Sequence, residues 1–121
     1  MNIKNVLLDT SFILEALRSR YEILEEIRFL LGPVRFVVIP YVLLELENIA
    51  SSELDHISKS ILSRCEVVEW REGTDADDSL ERFAKKHPNT YVATLDRKLC
   101  ARLRREMIPT IRLKNGRLII L

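Results

Sequence analysis

Apolar runs of strand length alternate with apolar stripes of helical spacing along this chain. Ile3 to Leu8 is a short, mostly apolar run closed by Asp9-Thr10-Ser11, which reads as a buried strand followed by a helix N-cap. From Phe12 to Leu31, apolar residues at Ile13, Leu14, Leu17, Tyr21, Leu24, Ile27, Phe29 and Leu30, with a break around Arg18-Ser19-Arg20, predict two helices stopped by Gly32-Pro33. Phe36-Val37-Val38-Ile39 predicts a strand, and Pro40 suits the first turn of a helix over Tyr41 to Ala50. A further helix is expected over Ser52–Leu62 and an alternating strand over Cys65–Trp70. Thr74 with Asp77 three residues on has the pattern of a capping box, opening a helix whose stripe is Ala76, Leu80, Phe83 and Ala84 and which ends at His87-Pro88. Tyr91 to Leu95 reads as a strand ended by Asp96, followed by a helix over Arg97–Glu106 with Leu99 and Leu103 inside. Asn115-Gly116 between Thr110–Leu113 and Arg117–Ile120 is the strongest type I′ hairpin signal in the chain.

Strands alternating with helices imply parallel pairing through right-handed crossovers. The expected class is α/β, a three-layer α/β/α sandwich with a central, mainly parallel sheet and a C-terminal β-hairpin. At 121 residues the chain has the size of one domain, taken here as residues 1–121. Ligands in such sheets bind beyond the C-terminal strand ends, and Asp9 and Asp96 both stand there.

Composition narrows the classes. Apolar residues make up 47% and charged residues 31%, with three Gly and four Pro, a balance for a helix-rich globular fold and against disorder. The apolar run before Asp9 is far too short for a signal h-region or a membrane span, so a cytoplasmic protein with no membrane partner is expected. Cys65 and Cys100 lack CxxC spacing, and with only His56 and His87 available neither zinc nor a disulfide framework is indicated. Net charge is +1, yet residues 96–121 carry +6 and residues 1–95 carry −5. That asymmetry points to a polyanion-facing edge, with basic, solvated helix faces as the competing account.

The acids carry the chemistry. Asp9 and Asp96 each end a run that belongs in the interior; taken singly, each also suits a strand-end or capping role. Glu45 falls beside Val42, Leu46 and Ile49 on the helical wheel, at the edge of the stripe that faces the core, where a charge needs a partner or a metal. Asp77 lies next to Leu80 and Ala84, whereas Asp75 and Asp78 project elsewhere; its competing role is capping with Thr74. Four carboxylates together without a cation would repel one another. An all-oxygen set suits Mg²⁺ or Mn²⁺ better than zinc. In phosphodiester cleavage such ions bind the phosphate, lower the pKa of a coordinated water and stabilise the leaving oxygen. Asp9 and Asp96 are the expected direct ligands, Glu45 and Asp77 complete the site or orient water, and Ser11 and Thr94 are supporting hydroxyls. Lys98, Arg102 and Arg105, on one helical face after Asp96, are candidate RNA phosphate contacts.

Four segments carry a family resemblance: Val6-Leu7-Leu8-Asp9-Thr10-Ser11-Phe12-Ile13, Leu43-Leu44-Glu45-Leu46, Ala76-Asp77-Asp78-Ser79-Leu80 and Val92-Ala93-Thr94-Leu95-Asp96-Arg97-Lys98-Leu99. In this order they resemble the four acidic motifs of PIN-domain (PilT N-terminus) nucleases, over nearly the whole chain. Gly73 to Arg105 is particularly similar to the branch that includes the small-subunit processome nuclease of ribosomal RNA maturation and to compact archaeal relatives. The resemblance implies a parallel sheet between helices, Mg²⁺- or Mn²⁺-dependent cleavage of RNA (rRNA, tRNA or mRNA), and frequent homodimerisation. Toxins of toxin–antitoxin pairs share the motifs, so the partner implied is either an antitoxin or a ribosome-assembly protein. The doubled Asp77-Asp78 leaves two candidates for the third acid, and four carboxylates suit one ion or two.

Other classes fit less well. A response-regulator receiver wants paired acids near its first strand, and Asp9 stands without an acidic neighbour; a haloacid-dehalogenase-type phosphatase wants Asp at position 11, which is Ser. The serious alternative is a non-catalytic RNA-binding or ribosome-assembly module that retains the fold.

Overall fold

Val6, Leu7 and Leu8 in β1 (Lys4–Leu8) are all fully or almost fully buried. Successive side chains of a strand point to opposite faces, so both faces of β1 are covered, as a central parallel strand requires. The same holds for Phe36, Val37 and Val38 of β2 (Val34–Val38) and for Val92 and Ala93 of β4 (Thr90–Ala93). The computed structural model describes residues 3–19, 22–49 and 59–121.

Among the described residues the sheet has six strands in the order β3-β2-β1-β4-β5-β6, with β3 Glu66–Val67, β5 Thr110–Lys114 and β6 Arg117–Ile120. Every neighbouring pair is parallel except β5 with β6. The helices are α1 (Thr10–Arg18), α2 (Ile23–Leu31), α3 (Pro40–Ile49), α4 (Ala76–Lys86) and α5 (Arg97–Arg105). The chain is thus the mainly parallel α/β sandwich that its pattern predicts. The direction of strand order reverses between β1 and β4, and at such a switch point a crevice opens outside the carboxyl ends of the strands. Asp9 follows β1 directly, and Asp96 lies three residues past the end of β4.

The C-terminal hairpin forms as expected: Asn115 (φ 53°) and Gly116 (φ 74°) both take positive φ, and Lys114 pairs with Arg117 across the turn. Of the helix expected over Ser52–Leu62, residues 52–58 lie outside the described residues, as do Arg20, Tyr21, Ala50 and His56; Lys59–Leu62 are helical.

Two local expectations need correction. The strand predicted over Cys65–Trp70 is only two residues long, because after Val68 N–H donates to the Val38 carbonyl at 3.1 Å the chain turns inward. Trp70 is 9% exposed; it packs edge-on to Phe83, with ring centroids 5.3 Å apart, and its indole N–H donates to the Ser79 carbonyl at 3.1 Å. Burial of that large ring outweighs the alternating pattern. The capping box is also displaced by one residue. Asp75 is the N-cap of α4 and accepts from Asp78 N–H at 2.8 Å, while the Asp78 carboxylate accepts from Thr74 N–H at 3.0 Å.

Candidate active site

Asp9 is 6% exposed and serves as N-cap of α1. Its Oδ1 accepts from Thr10 N–H at 2.8 Å; its Oδ2 accepts from Thr94 Oγ1 at 2.6 Å and from Ser11 Oγ at 3.2 Å. Three donors on one carboxylate fix its orientation and leave about one further acceptor position. The two hydroxyls also close the crevice floor: Ser11 Oγ accepts from Leu95 N–H at 3.0 Å, and Thr94 Oγ1 from Asp96 N–H at 3.1 Å. Ser11 and Thr94 therefore lock the end of β1 to the segment between β4 and α5.

Asp96 is the N-cap of α5, its Oδ1 accepting from Lys98 N–H at 2.9 Å and Leu99 N–H at 3.1 Å. Its Oδ2 holds no hydrogen bond among the described residues. Glu45 extends from α3, and its Oε1 accepts from Thr10 Oγ1 at 3.1 Å, so the residue after Asp9 ties the second acid to the first. On that helix Val42 and Leu46 are buried as the wheel predicts, but Ile49 is 47% exposed, so the stripe ends a turn early. Glu45 itself is largely exposed. Its carboxyl is nonetheless pushed up by partial desolvation and by the charge of Asp9, against the hydrogen bond from Thr10.

Asp77 and Asp78 part company on α4. Asp78 is held below the usual carboxylate range by the Thr74 N–H and by Arg82 and Arg102, and it is engaged in ion pairs with both arginines at 3.0 Å. Asp77 has no hydrogen-bond partner among the described residues. Its carboxyl is pushed up by desolvation, then by the charges of Asp96, Asp9 and Asp75, with Arg102 pulling the other way. Asp9, Asp77 and Asp96 thus lie within electrostatic reach of one another, and Glu45 joins through Asp9.

The sign of these shifts gives a test in metal-free protein. A carboxyl whose native pKa is raised binds protons in the native state before the unfolded chain does. Its contribution is therefore unfavourable at neutral pH and disappears as pH falls to the ordinary values of 4.5 for Glu45 and 3.8 for Asp77. In EDTA, Asp77→Asn should melt above wild type at pH 7, and the gap should close as the pH approaches 4. A gap that widens on acidification contradicts the assignment.

Two contacts position α4, and neither was visible in the sequence. Tyr41, one turn before Glu45 on α3, donates its hydroxyl to the Gly73 carbonyl at 3.2 Å. Gly73 has φ +118°, and a Cβ there would lie 2.6 Å from the Ser79 backbone. Gly73→Ala should cost about 2–3 kcal/mol from strain and overlap and should displace Asp77 with the start of α4. Urea unfolding at unchanged slope reads the stability loss.

Buried Glu81, four residues after Asp77, also belongs to this group and carries no local sequence signal. It pairs with Arg102, which also reaches Asp78. Arg102 is therefore committed to α4 carboxylates, whereas Lys98 and Arg105 stay exposed without ion pairs among the described residues. Cys65 is a half-buried thiol pushed up to about 11 by desolvation, in keeping with an unreactive filler.

The donor set can be weighed against a hard divalent ion. It is all oxygen, and it is electrostatically under-compensated, since among the described residues Arg102 is the cation that lowers Asp77 against the charges of Asp96, Asp9 and Asp75. Both properties fit such an ion. As placed, no three His, Cys, Asp or Glu side chains among the described residues converge to enclose one ion. Asp77 is the member with no hydrogen bond to keep it from rotating.

The comparisons with known proteins agree with this frame. No curated protein sequence matches the chain. A solved structure described as that of the PIN domain endonuclease Utp24 superposes with a TM-score of 0.82 at 26% identity, covering 96% of this chain and 90% of that one. The PIN like domain family matches residues 6–116, a span that contains all four acids. The chain belongs to the PIN-like domain family.

Proposed function

We propose that this protein is an endoribonuclease that hydrolyses RNA phosphodiester bonds with Mg²⁺ or Mn²⁺, acting in the cytosol. The observation that carries the reading is the electrostatic coupling of Asp9, Asp77 and Asp96, from three separate elements, at the strand-order switch point. Similarity to a PIN domain endonuclease supports the reaction class.

Asp9 and Asp96 would hold the ion, with Asp77 and Glu45 completing the set. When bound, the divalent ion supplies a water of lowered pKa and charge stabilisation at the scissile phosphate. The chain's own part is positional. Ser11, Thr94 and Thr10 N–H hold Asp9 in one orientation, the α5 backbone holds Asp96, and Thr10 sets Glu45 against Asp9. The N-termini of α1 and α5 are capped by these same carboxylates, Asp9 taking Thr10 N–H and Asp96 taking Lys98 and Leu99 N–H, so both candidate ligands are fixed to the start of a helix.

RNA is the partner this reading requires. A place in ribosomal RNA maturation rests on the resemblance of Gly73–Arg105, and a homodimer, an antitoxin or a ribosome-assembly partner rests on family resemblance alone. The third acid we assign to Asp77, because Asp78 is occupied by Thr74, Arg82 and Arg102. The test compares Mn²⁺-dependent cleavage of structured and single-stranded RNA by Asp77→Asn and Asp78→Asn. Asp77→Asn should lose about 10²-fold or more, and Asp78→Asn should retain activity within about tenfold while melting lower. The reverse ranking reassigns the acid.

A further inference from the structure

A basic trough lies along α5, bounded on its other side by the C-terminal hairpin. Arg97, Cys100, Ala101, Arg104 and Arg105 line it. Their spacing of three, four, seven and eight residues puts them on one helical face. The opposite wall is β5, where Thr110, Arg112 and Lys114 alternate onto one side of the strand and line the same space. Between the walls the floor is apolar, from Leu95, Ile108, Leu113, Ile119 and Leu121, and the cavity measures ≈ 970 Å³.

Charge decides what this space suits. Among the described residues its lining holds Arg97, Arg104, Arg105, Arg112 and Lys114 and no Asp or Glu. None of the five enters an ion pair with a described carboxylate, in contrast to Arg102. Cations gathered without acids repel one another and raise the local concentration of polyanions. The floor then separates two kinds of polyanion. A duplex turns its bases inward and offers mainly backbone, whereas a single strand presents phosphates to a basic rim and base faces to an apolar surface.

One end of the trough lies beside Asp96. Leu95 and Arg97 flank Asp96 in the chain, and Cys100, in the trough wall, feels the charges of Arg112, Asp96 and Asp9 together. A strand lying between α5 and β5 therefore has one end next to Asp96.

We propose that this trough carries the single-stranded RNA segment flanking the scissile phosphate, its phosphates held by Arg97, Arg104, Arg105, Arg112 and Lys114 and its bases resting on the apolar floor. The inference rests on the nuclease reading and moves the RNA contacts from the Lys98–Arg102 side of α5 to the hairpin side. Arg105 belongs to both sets.

The test uses the Asp9→Asn protein as a background that cleaves RNA too slowly to consume it during a binding measurement. Binding of a labelled single-stranded RNA is measured by anisotropy across salt concentrations, beside the same sequence in duplex form. Arg104→Gln and Arg112→Gln should each flatten the log–log salt slope by about 0.7 and weaken binding about fivefold at 0.1 M salt. Arg35→Gln, on the far side of the sheet in a pair with Glu66, serves as the control and should bind as the background does. In the cleaving protein the two trough variants should raise KM more than they lower kcat. Unchanged slope and affinity in both variants overturns the trough, whatever the cleavage result. Equal affinity for duplex overturns the single-strand assignment, and binding of polyglutamate in preference to RNA assigns the trough to an acidic protein and overturns it too. Loss of RNA affinity in the variants, together with no cleavage by wild type, upholds the trough and defeats the nuclease reading instead.

Discussion

Asp9→Asn is expected to cleave RNA roughly 10²–10³-fold more slowly than wild type, since a metal site supplies several kcal/mol to the transition state at about 1.4 kcal/mol per factor of ten. The substitution is nearly isosteric, and Oδ1 can still accept from Thr10 N–H. In the Oδ2 position an amide Nδ2 donates instead of accepting, so Thr94 and Ser11 keep their contact with residue 9 by turning their hydroxyl hydrogens away from it. What changes is one negative charge at the buried centre of the cluster, the charge that raises both Glu45 and Asp77. Fold and RNA affinity should survive while turnover falls. A variant that loses turnover only because it unfolds would show a collapsed melting transition, and circular dichroism separates that case.

Divalent metal should stabilise the wild-type protein strongly. An ion that binds only the folded state adds about 2.7 kcal/mol at one hundred times its Kd, which for a domain of this size raises Tm by roughly 10 °C. The effect should be large because the metal-free cluster is strained by its own charge: Asp96, Asp9 and Asp75 all raise Asp77, and among the described residues Arg102 alone opposes them. Asp9→Asn should behave oppositely. Its metal-free form should melt at or above wild type, because repulsion on Glu45 and Asp77 is relieved, and Mn²⁺ should move it by only a few degrees. Equal Mn²⁺ shifts in both proteins would place the ion somewhere other than this cluster.

The strands and helices were legible because their patterns are local. Val6-Leu7-Leu8 and Val92-Ala93 read as buried strands and are, and Asn115-Gly116 read as a hairpin turn and takes positive φ at both positions. Asp9 and Asp96 could be placed by the same logic, since Asp9 directly follows β1 and Asp96 comes three residues after β4. The failures fall where distant residues decide. The Cys65–Trp70 strand was cut short by the pocket that Phe83, His87 and Ser79 offer to Trp70, a pocket that the alternation of Cys65–Trp70 cannot reveal.

The capping box is a subtler case. Thr74 with Asp77 and Asp75 with Asp78 have the same spacing, and only the geometry at Gly73 and Thr74 selects the second. That choice frees Asp77 from capping, which the sequence could not do. The reading of Lys98, Arg102 and Arg105 as one basic face was sound as helix geometry, but it lacked the carboxylates of Asp78 and Glu81 that occupy Arg102. No spacing rule links Arg102 to residues twenty-one and twenty-four positions away. The same limit hid Thr10 as the bridge to Glu45 and Tyr41 as the tie to Gly73.

The most direct test is one time course on an end-labelled single-stranded RNA, with wild type and Asp9→Asn each in Mn²⁺ and in EDTA. Discrete internal cleavage products from wild type with Mn²⁺, and from none of the other three reactions, is the result that four coupled carboxylates holding a divalent ion predict. Equal product from wild type and Asp9→Asn, or cleavage that persists in EDTA, would contradict it.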